Sequence, residues 1–250
     1  MKKNIIITII AITVSFLFIS CFNIVVSESK KGNGELVTKS IDISDFSKIE
    51  IETRVKIDYS QEKNKGNLEF TIDDNLLEYY NIYTKNDVLY IKLKDKYRNK
   101  THPNPTKSLI TVSSEQLKKI DIEGSADVHF NTAFISKKLC VDIAGNGNIF
   151  ANEYPVQIED CKVDIAGSGN ACFTGAIQKA RIEIAGNGNV KALDCDIAQL
   201  YISIAGSGDI EAAVTDKLDI SIAGSGSVKY RGNPKEIESS VAGSGKIVKL

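Results

Sequence analysis

Four carboxylates recur at one place in a repeated string, and of all the side chains in this sequence they are best placed to do chemistry. Asp121, Asp142, Asp164 and Glu183 each stand immediately before the Ile of an Ile-Ala-Gly or Ile-Glu-Gly string. Equivalent side chains of a stacked β repeat lie about 4.8 Å apart. Such a column could attract a divalent cation or a polycation, or supply paired carboxylates for glycan cleavage. Lys119, Lys162 and Arg181 stand two residues before three of the four, whereas Asp142 has Cys140 there. The plain reading is a solvated salt-bridge ladder, each pair contributing about 0–1 kcal/mol. The sharper one is a weak cation or polycation strip. The plain reading is preferred.

The remaining chemical candidates are weaker. His102 lies in a polar loop and His129 at an outward strand position, neither beside a nucleophile or an Asp partner, so both read as surface histidines. Cys140, Cys161, Cys172 and Cys195 form no CxxC and have no His at metal-ligand spacing. Cys161 has inward parity and reads as a small core residue. The AGSGN and AGNGN strings superficially resemble phosphate loops, but a strand rather than a helix follows each one. A calcium β-roll would repeat its glycines twice as often and keep its Asp. No catalytic residue, metal site or cofactor is assigned.

The elements that must position the carboxylates come from the repeat itself. IAG-[SN]-G recurs at Ile143, Ile165, Ile184, Ile204 and Ile222, with variants at Ile122 and Val241, at spacings of 21, 22, 19, 20, 18 and 19 residues. A period near twenty marks a solenoid, because no single unit can bury its apolar face alone. In the five coils with the full string, the Ile and the residues two and four before it are apolar, as in Leu200-Ile202-Ile204 and Leu218-Ile220-Ile222. They predict one inward-facing strand. Six residues on, Ile149, Ala171, Val190, Ile210 and Val228 predict a second inward position, with the two glycines between making the corner. Just before that position, Asp127, Asn148, Asn170, Asn189 and Asp209 predict a hydrogen-bonded polar ladder.

Residues 36–112 alternate apolar and polar side chains, as at Ile49 and Ile51, Val55, Ile57 and Tyr59, and Leu89, Ile91 and Leu93 after the turn signal Asn86-Asp87. They predict half-buried strands. Residues 96–108, KYRNKTHPNPTKS, read as a polar loop. The tyrosines of this half could stack on glycans, although in strands they more often cover a core edge.

The leading segment differs in kind. Lys2 and Lys3 precede an apolar run ending in FLFISC, which reads as a signal peptide over residues 1–20 with Cys21 as the lipid-bearing residue of a lipoprotein. Phe18 and Ile19 depart from the usual lipobox, and an uncleaved signal anchor is the alternative. Both readings export the chain. Residues 21–35 read as the lipidated cysteine and a tether. With 31 basic and 32 acidic residues there is no basic excess for nucleic acid.

FSKIEIETRVKIDYSQ, NLLEYYNIYTKNDVLYIKL, SLITVSSEQLKKIDIEGSADV and the IAGSG coils together resemble the putative auto-transporter adhesin, head GIN domain family, over residues 36–250. The resemblance implies a β-helical fold, an adhesin-like label and a Gram-negative envelope, with no catalytic residues. The expectation is an all-β chain. An N-terminal strand region, 36–112, continues into a right-handed parallel β-helix of about seven coils, 113–250. Its expected role is a non-catalytic exported lipoprotein, held to the outer membrane by its N-terminal lipid or anchor and acting as an adhesin-like binding or scaffold module. A glycan or an envelope or host surface protein is the expected partner, and homo-oligomers, end-to-end or side-by-side, are expected if Lys246 and Lys249 do not blunt the edge of the terminal coil. A polysaccharide-active enzyme and a purely structural envelope element are the alternatives.

Overall fold

The structure, a computed structural model, describes residues 28–250. The segment read as a signal peptide, with Cys21 and the residues up to 27, lies outside the described residues.

The repeats stack as read. Strands β10 (Lys119–Gly124), β12 (Phe134–Gly145), β13 (Asn148–Gly167), β14 (Asn170–Gly186), β15 (Asn189–Gly206), β16 (Asp209–Gly224) and β18 (Glu236–Gly243) pair in parallel, each on the one before. The register places Ile122, Ile143, Ile165, Ile184, Ile204, Ile222 and Val241 directly over one another. Beyond the corner, β11 (Asp127–Phe130) and β17 (Ser227–Arg231) belong to the second ladder, which ends at β19 (Lys246–Lys249). The result is a β-solenoid of about seven turns. Its core is a set of aliphatic columns, closed at every level up to the last coil.

Glycine is required at the corner for two reasons. Gly206 has φ of 135°, a backbone region that side chains disfavour. A Cβ on it would also lie 2.3 Å from the carbonyl oxygen of Gly186 in the coil beneath. The polar ladder forms as expected. Asn148 Nδ2 donates to Asp127 Oδ1 (2.7 Å), Asn170 Nδ2 to Asn148 Oδ1 (2.7 Å) and Asn189 Nδ2 to Asn170 Oδ1 (2.9 Å).

The stack begins earlier than the sequence repeat does. Strands β3 (Lys48–Ile51) and β4 (Lys56–Ser60) lie in parallel under β10 and β11. Beneath them lie β7 (Val88–Leu93) and β9 (Ser108–Ser113), again parallel. Closure then switches to antiparallel pairing. β6 (Tyr80–Lys85) adds to β7, β5 (Asn67–Asp73) to β9, and β2 (Leu36–Asp42) to β5. Asn86 and Asp87, with φ of 51° and 64°, make the tight β6–β7 turn that their sequence signals.

Two segments differ from their sequence reading. Residues 28–31, read as tether, form strand β1 (Glu28–Lys31), and part of the polar loop forms β8 (Thr101–Asn104), its parallel partner. This pair is held by backbone hydrogen bonds, which need no apolar alternation. It is anchored by Asp73, a buried carboxylate that accepts from the backbone N–H of Gly34 (2.7 Å) and of Thr106 (2.8 Å) and from the Thr106 hydroxyl (2.7 Å). A single helical turn, α1 (Asp74–Leu77), lies between β5 and β6 and buries Leu76.

Candidate functional site

The acidic column lies on the outward face of the ladder that carries the Ile-Ala-Gly strings. The register stacks Asp121, Asp142, Asp164 and Glu183 in consecutive coils. It also adds two members that sequence reading missed. Glu50 lies directly below Asp121, and Tyr90 directly below Glu50. The repeat string is absent from both strands, so no spacing pointed to them. Above Glu183 the column turns to Ser203, Ser221 and Ser240.

Beside the carboxylates runs a second outward column, Ala144, Ala166, Ala185 and Ala205, all exposed. Its short side chains leave the carboxylates flanking an open groove of about 690 Å3. Glu123, Lys119 and Lys162 complete its charged lining. Tight Gly-Asn-Gly and Gly-Ser-Gly corners bound this face on one side.

The ion pairing differs from the sequence reading at one carboxylate. Asp142 was expected to stand without a cation, since Cys140 occupies its own coil's basic position. Lys119 reaches up from the coil below and bridges Asp121 (3.0 Å) and Asp142 (2.7 Å). Sequence spacing counts within one coil, whereas a lysine stem spans to the next. Lys162 pairs with Asp164 at 2.5 Å. The hydrogen bond to Asp142 raises the Lys119 pKa against the effect of burial, and that to Asp164 raises Lys162. Arg181, placed to neutralise Glu183, instead sits over the Tyr201 ring at 5.5 Å, as does Lys179. The strip is therefore a cross-braced ladder at its base, with Glu183 outside the bracing.

The tyrosines give the same face an aromatic end. Tyr83 and Tyr90 stack with ring centroids 5.1 Å apart, and Lys92 lies 5.7 Å from each ring. His129, read as a surface residue, stacks on Phe150 at 4.4 Å, and burial lowers its pKa. Cys161 and Cys195 are buried in the core, and burial pushes the Cys195 thiol up to about 12. Cys140 and Cys172 are half-exposed, and all four are free thiols. Among the described residues no three His, Cys, Asp or Glu side chains converge as metal ligands.

A second groove, of about 620 Å3, lies at the N-terminal end between β2 and β6. Ile41, Phe70, Leu77, Tyr80 and Ile82 line it, together with the charged side chains of Lys39, Asp42, Asp74, Glu78 and Lys94.

The fold and its open, ladder-built face define a non-globular β-solenoid of the kind that presents long flat surfaces. The particular family follows from comparison. The sequence model of the putative auto-transporter adhesin, head GIN domain family matches residues 45–234, and the chain belongs to that family. Among solved structures, a putative adhesin from Bacteroides fragilis is 26% identical, covers 88% of this chain and all of its own length, and superposes with a TM-score of 0.79. A putative lipid binding protein from Parabacteroides distasonis is 28% identical over 89% of this chain and all of its own, with a TM-score of 0.74. A putative adhesin from Parabacteroides merdae, 23% identical with a TM-score of 0.61, covers 90% of this chain and all of its own and shares the fold. No curated protein sequence matches the chain significantly. The family is described by adhesion rather than by catalysis, and an adhesin is expected outside the cell. Among the described residues no helix is long and apolar enough to cross a membrane.

Proposed function

We propose that this protein is an adhesin-like binding module of the bacterial envelope, exported as a lipoprotein, held to the outer membrane through Cys21, and acting without catalysis. The supporting observation is the uninterrupted outward column from Tyr90 through Glu50 and the four aspartate and glutamate positions to Ser203. Carboxylates and hydroxyls at strand spacing can accept and donate along a glycan chain, and the stacked tyrosines offer an apolar ring face. Four of the carboxylates are spread along the groove, and Lys119 ties up Asp121 and Asp142 while Lys162 ties up Asp164, an arrangement that suits an extended contact.

The test is a glycan-array and host-matrix binding screen on the full chain in detergent, with and without calcium, beside the variant Asp164→Ala/Glu183→Ala. A specific hit that the variant loses supports this reading and places it on the column. A hit the variant keeps moves binding off this face. Silence on both surfaces leaves the structural envelope role as the better account.

A lipid-binding role is the second reading, favoured by the apolar groove between β2 and β6 and by the lipid-binding description of the Parabacteroides distasonis relative. Its test is vesicle co-sedimentation of the wild-type chain against Leu77→Asp. Retention by vesicles that this substitution lowers would favour it.

A further inference from the structure

The two ends of the solenoid are finished differently. At the N-terminal end, antiparallel strands β5 and β6 cover the core columns, and Phe70 and Tyr80 bury there. At the other end nothing among the described residues covers the last coil. Strand β18 pairs on one edge with β16, and among the described residues its other edge has no partner strand. All eight of its residues are exposed. Its inward positions continue the core columns, yet Ile237 and Val241 are 49% and 42% exposed, against 0% and 1% for Leu218 and Ile222 beneath them.

A free, apolar strand edge is normally blunted by charge. Lys246 and Lys249 do not serve β18, because both lie on β19. The acidic residues of β18 itself are already engaged, since Lys217 from the coil below reaches Glu236 (2.6 Å) and Glu238 (3.5 Å). The edge is thus left open to pairing.

We propose that β18 pairs antiparallel with β18 of a second copy, about a two-fold axis through Ser239. The choice of partner and register follows from the side chains. Only registers that oppose inward to inward positions keep the core continuous. Centring on Glu238 would set the two Glu238 side chains against each other. Centring on Ser240 would set Ile237 against Gly243 of the second copy. Centring on Ser239 opposes Ile237 to Val241 and Ser239 to Ser239, and it sets Glu238 against Ser240 and Glu236 against Ala242. The sequence of this strand is therefore self-complementary, as an isologous contact requires. An end-to-end contact with the N-terminal end would instead meet the antiparallel edges of β2 and β6 and would propagate into a fibre. The two-fold runs along the normal of the acidic face, so both copies turn that face the same way and extend it into one surface.

The test uses the full chain in its membrane. Residues opposed at a two-fold in an antiparallel pair have Cα atoms about 4.5–5.5 Å apart, within disulfide range. Ser239→Cys is expected to give a disulfide-linked dimer under mild oxidation. Ser225→Cys, exposed at a corner on the side of the solenoid, and the wild-type chain are expected to give none. Adding Ile237→Lys to Ser239→Cys is expected to abolish the dimer. A monomer with Ser239→Cys whose thiol is free to label would overturn the proposal. So would equal cross-linking at Ser225→Cys, or a ladder of higher oligomers. Sedimentation of the wild-type chain in detergent gives an independent reading, a dimer that Val241→Lys converts to monomer.

Discussion

The N-terminal closure and the C-terminal coils solve the same core problem by opposite means. In the coils, each inward residue rests on its equivalent in the next coil, and no single contact is special. In the closure, individual residues carry distinct jobs. Asp73 gathers three hydrogen bonds from two segments. Where the closure meets the coils, Tyr59 on β4 packs edge-on against Phe130 and Phe134, and its hydroxyl donates to the Ser114 carbonyl at 2.8 Å. Burial pushes the Tyr59 pKa up to about 12 against the opposing pull of Ser114, so this hydroxyl stays neutral in the folded protein. Repetition spreads stability evenly, whereas closure concentrates it.

The comparison breaks most sharply at a corner. Gly206→Ala places a Cβ 2.3 Å from the Gly186 carbonyl oxygen at a positive φ. Strain and overpacking together are expected to cost about 3 kcal/mol in denaturant unfolding. That is the one position type at which the evenly spread region is as intolerant as the closure.

Asp73→Ala is expected to have the next largest effect, loosening β1 and β8 while leaving the coils intact. Hydrogen exchange would show it as lost protection confined to residues 28–36 and 101–106. The pH dependence separates the two regions further. Burial raises the Asp73 pKa, but hydrogen bonds from Thr106 and from the backbone of Gly34, Thr106 and Lys107 lower it more, to a net value below 3.8. A carboxyl with a depressed folded pKa stabilises above its unfolded value and loses that contribution as pH falls through the folded one. Acid unfolding of the wild-type chain is therefore expected to gain a limb below about pH 4 that Asp73→Ala lacks.

The smallest effect sharpens the other side. Asn170→Ala removes two rungs of the amide ladder, to Asn148 and from Asn189. The expected loss is about 1 kcal/mol, because the flanking rungs remain and water reaches the site. A much larger loss, measured in the same denaturant series, would mean that the ladder acts as a cooperative unit.

How much could be read in the sequence follows the same division. The coils were legible because parity and period act together. Once Ile143 and Ile165 are aligned, Leu139 and Cys161, or Asn148 and Asn170, must align too. The closure was legible as half-buried strands and as the Asn86-Asp87 turn, but its pairing was not. Ile72 and Asp73 are consecutive and both buried, which defeats a period of two. At the junction of β3 and β4, Ile51-Glu52-Thr53 stands in place of the repeat string, so nothing marked these strands as a coil. The acidic column was legible as spacing, but its Glu50 and Tyr90 extension required the register, and the Lys119 bridge required a contact between coils.

The stacked glycine corners have a consequence for how such a protein changes length. Each corner rests directly on the one below, from Gly145 through Gly167, Gly186, Gly206 and Gly224 to Gly243. A duplicated or deleted segment is accommodated when it restores that alignment, and misplaces every later corner when it does not. The reach of the molecule is therefore a ruler graduated in whole coils of about 4.8 Å. Evolution can slide the far end outward by tandem duplication of one repeat without redesigning either terminus.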